Sequence, residues 1–425
     1  MDFKKLITPS IFLILLLGIT GFNNYNGALD KVGFQWLYLS VLNIIMVLYF
    51  LYDSSKLNLK PIFKTPVVYF FASFLLWSLF SFLYAYNITE SLLVFSRWFL
   101  VFISVINVTL LFSLSDFRKD LFLVILLIVL LGELYFSGST FLEIITITNY
   151  DFSYANLLKG VTGNKNITAS VLCFKLPLLF YSFYRFKNFF LRIFIFCVTV
   201  FNFLVLYAIS SRAMIIAIFS IFLILTIYLV SSYFKSIHST IDLKIIFIST
   251  FIPLIVSISI FQAVLPQNQN INLISRVSTI NTEDTSTSSR LRFYNHALTQ
   301  LQNNPIIGVG IGNWKFESQR YDQKFISGYT VPYHVHNDFL EIATELGLPG
   351  MLLYLAIFLS FLYILYKSYK IDTSNSFFYI SLFLCATVYF IDSNLNFPYA
   401  RVINQVLFIF LISIVLSNYI KLKTK

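Results

Sequence analysis

Charge is scarce in this chain: 12% of its 425 residues are charged, 19 of them acidic against 30 basic. That scarcity, with 58% hydrophobic residues and a mean hydropathy of +0.79, excludes an ordinary soluble domain, which could not hide so much apolar surface. Cysteine is equally sparse. Cys173, Cys197 and Cys385 all fall inside apolar runs with no CxxC spacing, so neither a disulfide nor a zinc framework is expected and the thiols read as small packing groups. Histidine occurs four times, at positions 238, 296, 334 and 336, and two of the four sit in one five-residue stretch, HVHND.

What fills the chain instead is a succession of apolar runs. A bilayer core of about 30 Å needs about 20 apolar residues per helix, and twelve such runs are expected, near 6–22, 34–52, 66–86, 91–113, 120–136, 166–184, 189–208, 212–231, 243–264, 350–367, 376–392 and 401–420. The first follows Lys4 and Lys5 but lacks a small-residue cleavage site, and reads as a retained helix. The fold expected is an all-α polytopic membrane protein.

Positive loops are retained on the cytoplasmic side. An inside N-terminus makes most basic clusters cytoplasmic, among them Lys60 and Lys64, Arg185 and Arg192, and Lys421, Lys423 and Lys425; the opposite short loops hold only Lys31, Lys159, Lys165, Arg212 and Arg401. Both termini are then cytoplasmic. The net charge of +11 is a topology signal, and no nucleic-acid partner is implied.

One loop stands apart, residues 265–349, on the external side by this count. It divides the chain into helices one to nine (1–264), an external catalytic loop (265–349) and helices ten to twelve (350–425). Its first part is polar and rich in Ser, Thr and Asn; then Ser288 or Ser289 can cap a helix to about Gln302, with Leu291, Tyr294, Leu298 and Leu301 on one face, suited to lying on the membrane. The glycines of GVGIGNW (308–314) turn the chain, and their GxGxG spacing, outside any βαβ unit, resembles a phosphate loop only superficially. Asn337 or Asp338 caps a short helix to about Leu346, with Asp338, Glu341 and Glu345 on one face and Leu340, Ala343 and Leu346 on another, an arrangement that should rest in the interface. Gly347 ends it and Pro349 starts the next helix.

His336 thereby stands at the entrance of a capped helix, just above the membrane, where a neutral imidazole can accept a proton. His334, His336 and Asp338 share a register that could ligate a metal, but no further His or Cys cluster completes a set. Charges at membrane depth mark site candidates: Arg212 and Arg97 near outer helix ends, with headgroup snorkelling an alternative for Arg97, and Glu133 and Lys175, best read as a structural pair. On an external face nucleotide sugars are not supplied, so an activated donor arrives in the membrane as a lipid-linked diphosphate. Guanidinium forks suit a diphosphate, and two arginines with one histidine suffice for transfer without a metal.

The stretch HNDFLEIATELGLPG resembles the O-antigen ligase family through His336, Asn337, Gly347 and Gly350, a His-Asn-x9-Gly-x-x-Gly pattern. SSRA at 210–213, SSRLRFYNHAL at 288–298 and NNPIIGVGIGNW at 303–314 extend the likeness, as do the helix number and the late external loop. The resemblance implies a C-type glycosyltransferase-like fold, His336 as base for the acceptor hydroxyl, and Arg212 and Arg290 as ligands of the donor diphosphate, with inversion at the sugar. Arg292 competes with Arg290, which is favoured, and Asn337 reads as a cap. It further implies an undecaprenyl-diphosphate-linked glycan donor, lipid A core or another glycan or protein hydroxyl as acceptor, membrane lipids as partners, no cofactor or metal, and a bacterial inner membrane with the site on the periplasmic face. The complete pattern favours an O-antigen ligase; a polymerase of O-antigen or exopolysaccharide is second and a protein O-oligosaccharyltransferase third. A glycolipid flippase or transporter would also suit twelve helices, but no internal repeat is evident and the polar chemistry gathers in one asymmetric loop.

Overall fold

A computed structural model describes residues 3–18, 30–52, 58–114, 119–147, 150, 152–236, 238–264, 285–325 and 333–424. Among them there is no strand, and eleven helices are long and apolar enough to cross a membrane. The protein is a multi-pass, all-α membrane protein, as its composition requires.

Two compact units interleave along the chain: one of residues 1–35, 115–278 and 369–391, the other of residues 36–114, 279–368 and 392–425. The first unit holds α1 (Phe3–Leu17), α6 (Lys119–Ile147), α7 (Lys165–Arg185), α8 (Phe189–Ile209), α9 (Arg212–Phe234) and α10 (Thr240–Val264), and most of α14 (Ser376–Leu395). α1 covers the start of the first expected span, and residues 19–22 of that span lie outside the described residues. α7 is the core helix of this unit, packed on α6, α8, α9 and α10. Asn164 caps it, its side chain accepting from the amides of Asn166 and Ile167. Lys175 on α7 and Glu133 on α6 are both buried and form the ion pair expected of them, so each charge is compensated within the bundle.

The second unit holds α2 (Lys31–Tyr52) from Trp36 on, α3 (Lys60–Phe63), α4 (Pro66–Phe80), α5 (Ile88–Leu114), α11 (Thr285–Asn303), α12 (Trp314–Asp322), α13 (Asp338–Ile371) and α15 (Val402–Thr424). Where lipid offers no hydrogen bonds, buried amides must find each other: Asn107 Nδ2 donates to Asn43 Oδ1 (2.9 Å) and Asn43 Nδ2 to Ser104 Oγ (2.8 Å).

α13 departs from a single rod at Gly347, whose φ of 69° divides a short helix, 338–346, from the membrane-length segment that follows. The position needs glycine because an added Cβ would fall 2.1 Å from the Ile306 carbonyl oxygen. Asn337 is the cap of the short helix, its Oδ1 accepting from Leu340 N at 3.0 Å. The acidic face of this helix is not open to water. Asp338, Glu341 and Glu345 are all buried, as are Ala343 and Leu346, because the surrounding loop packs over the helix and uses its carboxylates as hydrogen-bond acceptors.

α11 packs inward through Tyr294 and Ala297 against Trp314 and Val335, so Tyr294 leaves the face expected of it, on which Leu291 and Leu298 stay exposed. α12, which supplies Trp314, was not foreseen.

Candidate active site

The site is assembled in the second unit from three pieces of chain: α11, the stretch 333–346 and the turn 392–401 between α14 and α15. The glycine-rich segment 308–312 props it from behind. Gly308, Gly310 and Gly312 have positive φ, and the amides that a phosphate loop would offer are already used: Val309 N and Gly310 N donate to the carbonyls of Thr344 (3.0 Å) and Glu345 (2.8 Å), Ile311 N to Ser81 Oγ (3.1 Å), and Trp314 N to Glu345 Oε1 (3.1 Å). Asn313 completes the docking by accepting from Asn87 N at 2.7 Å and donating to Ser91 Oγ at 2.9 Å. The segment fixes α4, α5 and the short helix together and presents no anion cradle.

Glu341 organises the histidines. Its Oε2 accepts from Val335 N (2.8 Å), and its Oε1 bonds His334 Nδ1 (2.8 Å) and accepts from the Tyr399 hydroxyl (2.5 Å). Burial, and then the Glu341 charge, hold the Tyr399 phenol well above its usual pKa, so it remains a donor. The ring of Tyr399 lies parallel to Trp98, centroids 5.6 Å apart, and Trp98 packs on Phe74 and Tyr354, giving the site an aromatic floor.

His336 follows directly. Its φ of 65° is in the left-handed region that a side chain rarely adopts, and the Tyr294 hydroxyl stands 3.0 Å from the carbonyl oxygens of both His336 and Asn394, between which its one proton is shared. The imidazole meets the Phe397 edge-on (4.9 Å, 76°) and stacks toward Phe293 (6.3 Å, 12°). Nδ1 is buried with no hydrogen-bond partner among the described residues. Burial first, and the Arg290 charge second, push the His336 imidazole down to about 4, so it is neutral at physiological pH.

The candidate arginines are differently employed. Arg290 lies near His336 and places Nη2 3.5 Å from Asn396 Oδ1. Arg292, two residues on, sets Nε 2.8 Å from Asp322 Oδ1 on α12 and lies over Phe325 (4.2 Å). Arg97 lies over Trp36 (5.6 Å). Arg212 belongs to the first unit, as the first residue of α9, just after Ser210, which turns the chain with a φ of 51°. His296 stacks on Tyr321 and stands 3.8 Å from Asp322 Oδ1, and His238 in the first unit bonds the hydroxyls of Tyr228 and Ser376. Among the described residues no group of three His, Cys, Asp or Glu is placed to hold a metal ion.

The turn 392–401 was missed as part of a site. Asp392 accepts from Asn396 Nδ2 (2.6 Å) and Asn404 Nδ2 (3.0 Å), Phe397 stacks on His334 (4.3 Å, 14°), and Arg401 lies over the same Phe397 ring (5.1 Å). The available signal was NFPYAR itself, a polar and aromatic turn between two apolar runs ending on an arginine at the membrane edge.

What this part of a multi-pass helical protein offers chemically is a proton acceptor, the neutral His336, beside a cation suited to an anion, Arg290. Residues 195–355 match the O-antigen ligase family, and that part of the chain is a domain of this family, whose members are glycosyltransferase-like enzymes of O-antigen ligase and polymerase type. The match contains Arg212, Arg290, Arg292 and His336, and leaves out Arg97 and the 392–401 turn. No curated protein matches the sequence.

Proposed function

We propose that the protein transfers a glycan from a polyprenyl diphosphate to an acceptor hydroxyl, with His336 as general base and Arg290 as a ligand of the diphosphate. The observation that carries this is a neutral His336 imidazole packed on Phe397, with Arg290 as the leading charge acting on it and reaching the adjacent Asn396. The imidazole takes the acceptor proton as the hydroxyl oxygen attacks the anomeric carbon. The carbon–oxygen bond to the diphosphate breaks, the electron pair leaves with the phosphate oxygen, and the guanidinium fork balances the charge. Attack opposite the leaving group inverts the centre. Arg292 and Arg97 face Asp322 and Trp36, and the reading gives them no phosphate.

His336 alone in the resting site is a weak base. A bound diphosphate offsets the Arg290 charge and favours the imidazolium, so basicity rises when the donor arrives. The loop 265–349 and the turn after α14 are then the catalytic face, periplasmic in a bacterial inner membrane, with both termini cytoplasmic. The acceptor favoured by the His336, Asn337, Gly347, Gly350 pattern is lipid A core, and the protein is then an O-antigen ligase.

The test is reconstitution in liposomes with an undecaprenyl-diphosphate-linked glycan and chelator, offering lipid A core, additional donor or a protein acceptor in turn. Glycan on lipid A core supports the ligase; lengthened undecaprenyl-linked chains mean a polymerase and modified protein an oligosaccharyltransferase. No transfer to any acceptor removes the reading.

A further inference from the structure

A guanidinium withdrawn from water near a membrane is costly unless an anion accompanies it. Arg401, the residue before α15, is in that condition. It is only partly exposed, its Nε is buried without a hydrogen-bond partner, and burial alone acts on it: among the described residues no carboxylate offsets the cost. The acid of the same turn, Asp392, accepts from Asn396 and Asn404. The guanidinium lies 5.1 Å over Phe397, and His336 packs against that same ring at 4.9 Å. Arg290 reaches the adjacent residue, Asn396. Two arginines from separate elements, α11 and the turn before α15, therefore meet the chain at 396–397 beside the histidine.

We propose that Arg401 and Arg290 form a phosphate-binding pair at the Phe397 turn, and that the group they hold is a phosphate of the lipid-linked donor. This rests on the reading above and extends it to a residue outside the matched domain. Arg401 is a binding residue here: without ligand its charge is a burden to the fold, and the ligand relieves it.

The same chemistry is offered by a phospholipid headgroup, so both sources are tested. The full chain in nanodiscs is titrated with undecaprenyl diphosphate, and separately with phosphatidylglycerol, while binding and thermal unfolding are followed for wild type, Arg401→Met, Arg401→Lys and His336→Ala. The expected result is a loss of at least tenfold in undecaprenyl diphosphate affinity for Arg401→Met, a smaller loss for Arg401→Lys, and none for His336→Ala. Without ligand, Arg401→Met should melt at or above the wild-type temperature and lose the ligand-induced rise; a merely structural arginine would instead lower the ligand-free melt. Wild-type affinity in Arg401→Met, or loss of phosphatidylglycerol binding alone, overturns the pair. If wild type itself does not bind undecaprenyl diphosphate, it is the proposed function that falls.

Discussion

Arg290 and Arg292 lie two residues apart on α11 and serve different partners: Arg292 is 2.8 Å from Asp322, whereas Arg290 acts on His336 and reaches Asn396. On a helix such neighbours point to different sides, and the direction each takes decides its use. Arg290→Ala is expected to lower kcat/KM by about 100-fold, near 3 kcal/mol for charge-assisted bonds to the transferring group. Arg292→Ala should leave kcat within a few-fold and lower stability by about 2 kcal/mol, through the lost ion pair and the lost contact with Phe325. Parallel kinetics and thermal unfolding separate the two; equal kinetic losses would contradict the division.

The pH dependence follows from His336. Because kcat/KM reports the free protein, its acid limb should fall near the depressed value of about 4 and not near the 6.5 of a free imidazole. For kcat, which reports the donor complex, the limb should move upward, since the bound diphosphate counters Arg290. The folded pKa lies below the unfolded one, so the unfolded chain takes the proton first: the His336 contribution to stability is complete above 6.5 and is lost as pH falls toward about 4.

Glu341 is a positioning residue. Removing its carboxylate in Glu341→Ala strands the Val335 amide and the Tyr399 hydroxyl and frees His334. Each buried orphan costs about 1–3 kcal/mol, so the variant should unfold several degrees lower and lose transfer. Glu341→Gln keeps one acceptor and should recover part of both.

Gly347→Ala combines a left-handed backbone with a Cβ that would meet the Ile306 carbonyl. The expected cost is about 2–4 kcal/mol, read as a lowered melting temperature with activity lost in step. An unaltered variant would mean that the contact between 306 and the break in α13 is not needed.

How much of this was legible in the sequence depends on the range of the interactions concerned. The spans were legible because each is set by its own apolar length: α8, expected at 189–208, runs Phe189–Ile209. The cap at Asn337 and the break at Gly347 were legible because capping and φ are local. The burial of Glu341 and Glu345 was not, because the groups that claim them, Tyr399, Val335 and Trp314, come from elsewhere in the chain, and an acidic face looks the same in sequence whether water or a loop covers it. Periodicity put Leu291, Tyr294 and Leu298 on one face of α11; Leu291 and Leu298 are exposed, whereas Tyr294 packs with Ala297 against Trp314 and Val335, partners that come from elsewhere in the chain. Arg401 was counted only as a topology charge. Its relation to His336 runs through Phe397 across more than sixty residues of chain, which no local pattern encodes.

The central claim is that His336 takes the acceptor proton in transfer from a lipid diphosphate. The most direct measurement is single-turnover transfer by wild type and His336→Ala in the same liposomes, with undecaprenyl diphosphate binding measured alongside. The account predicts a transfer rate at least 1,000-fold lower, in the upper range for a lost general base, with donor affinity within about twofold of wild type. A variant that binds donor and still transfers at near the wild-type rate would contradict it.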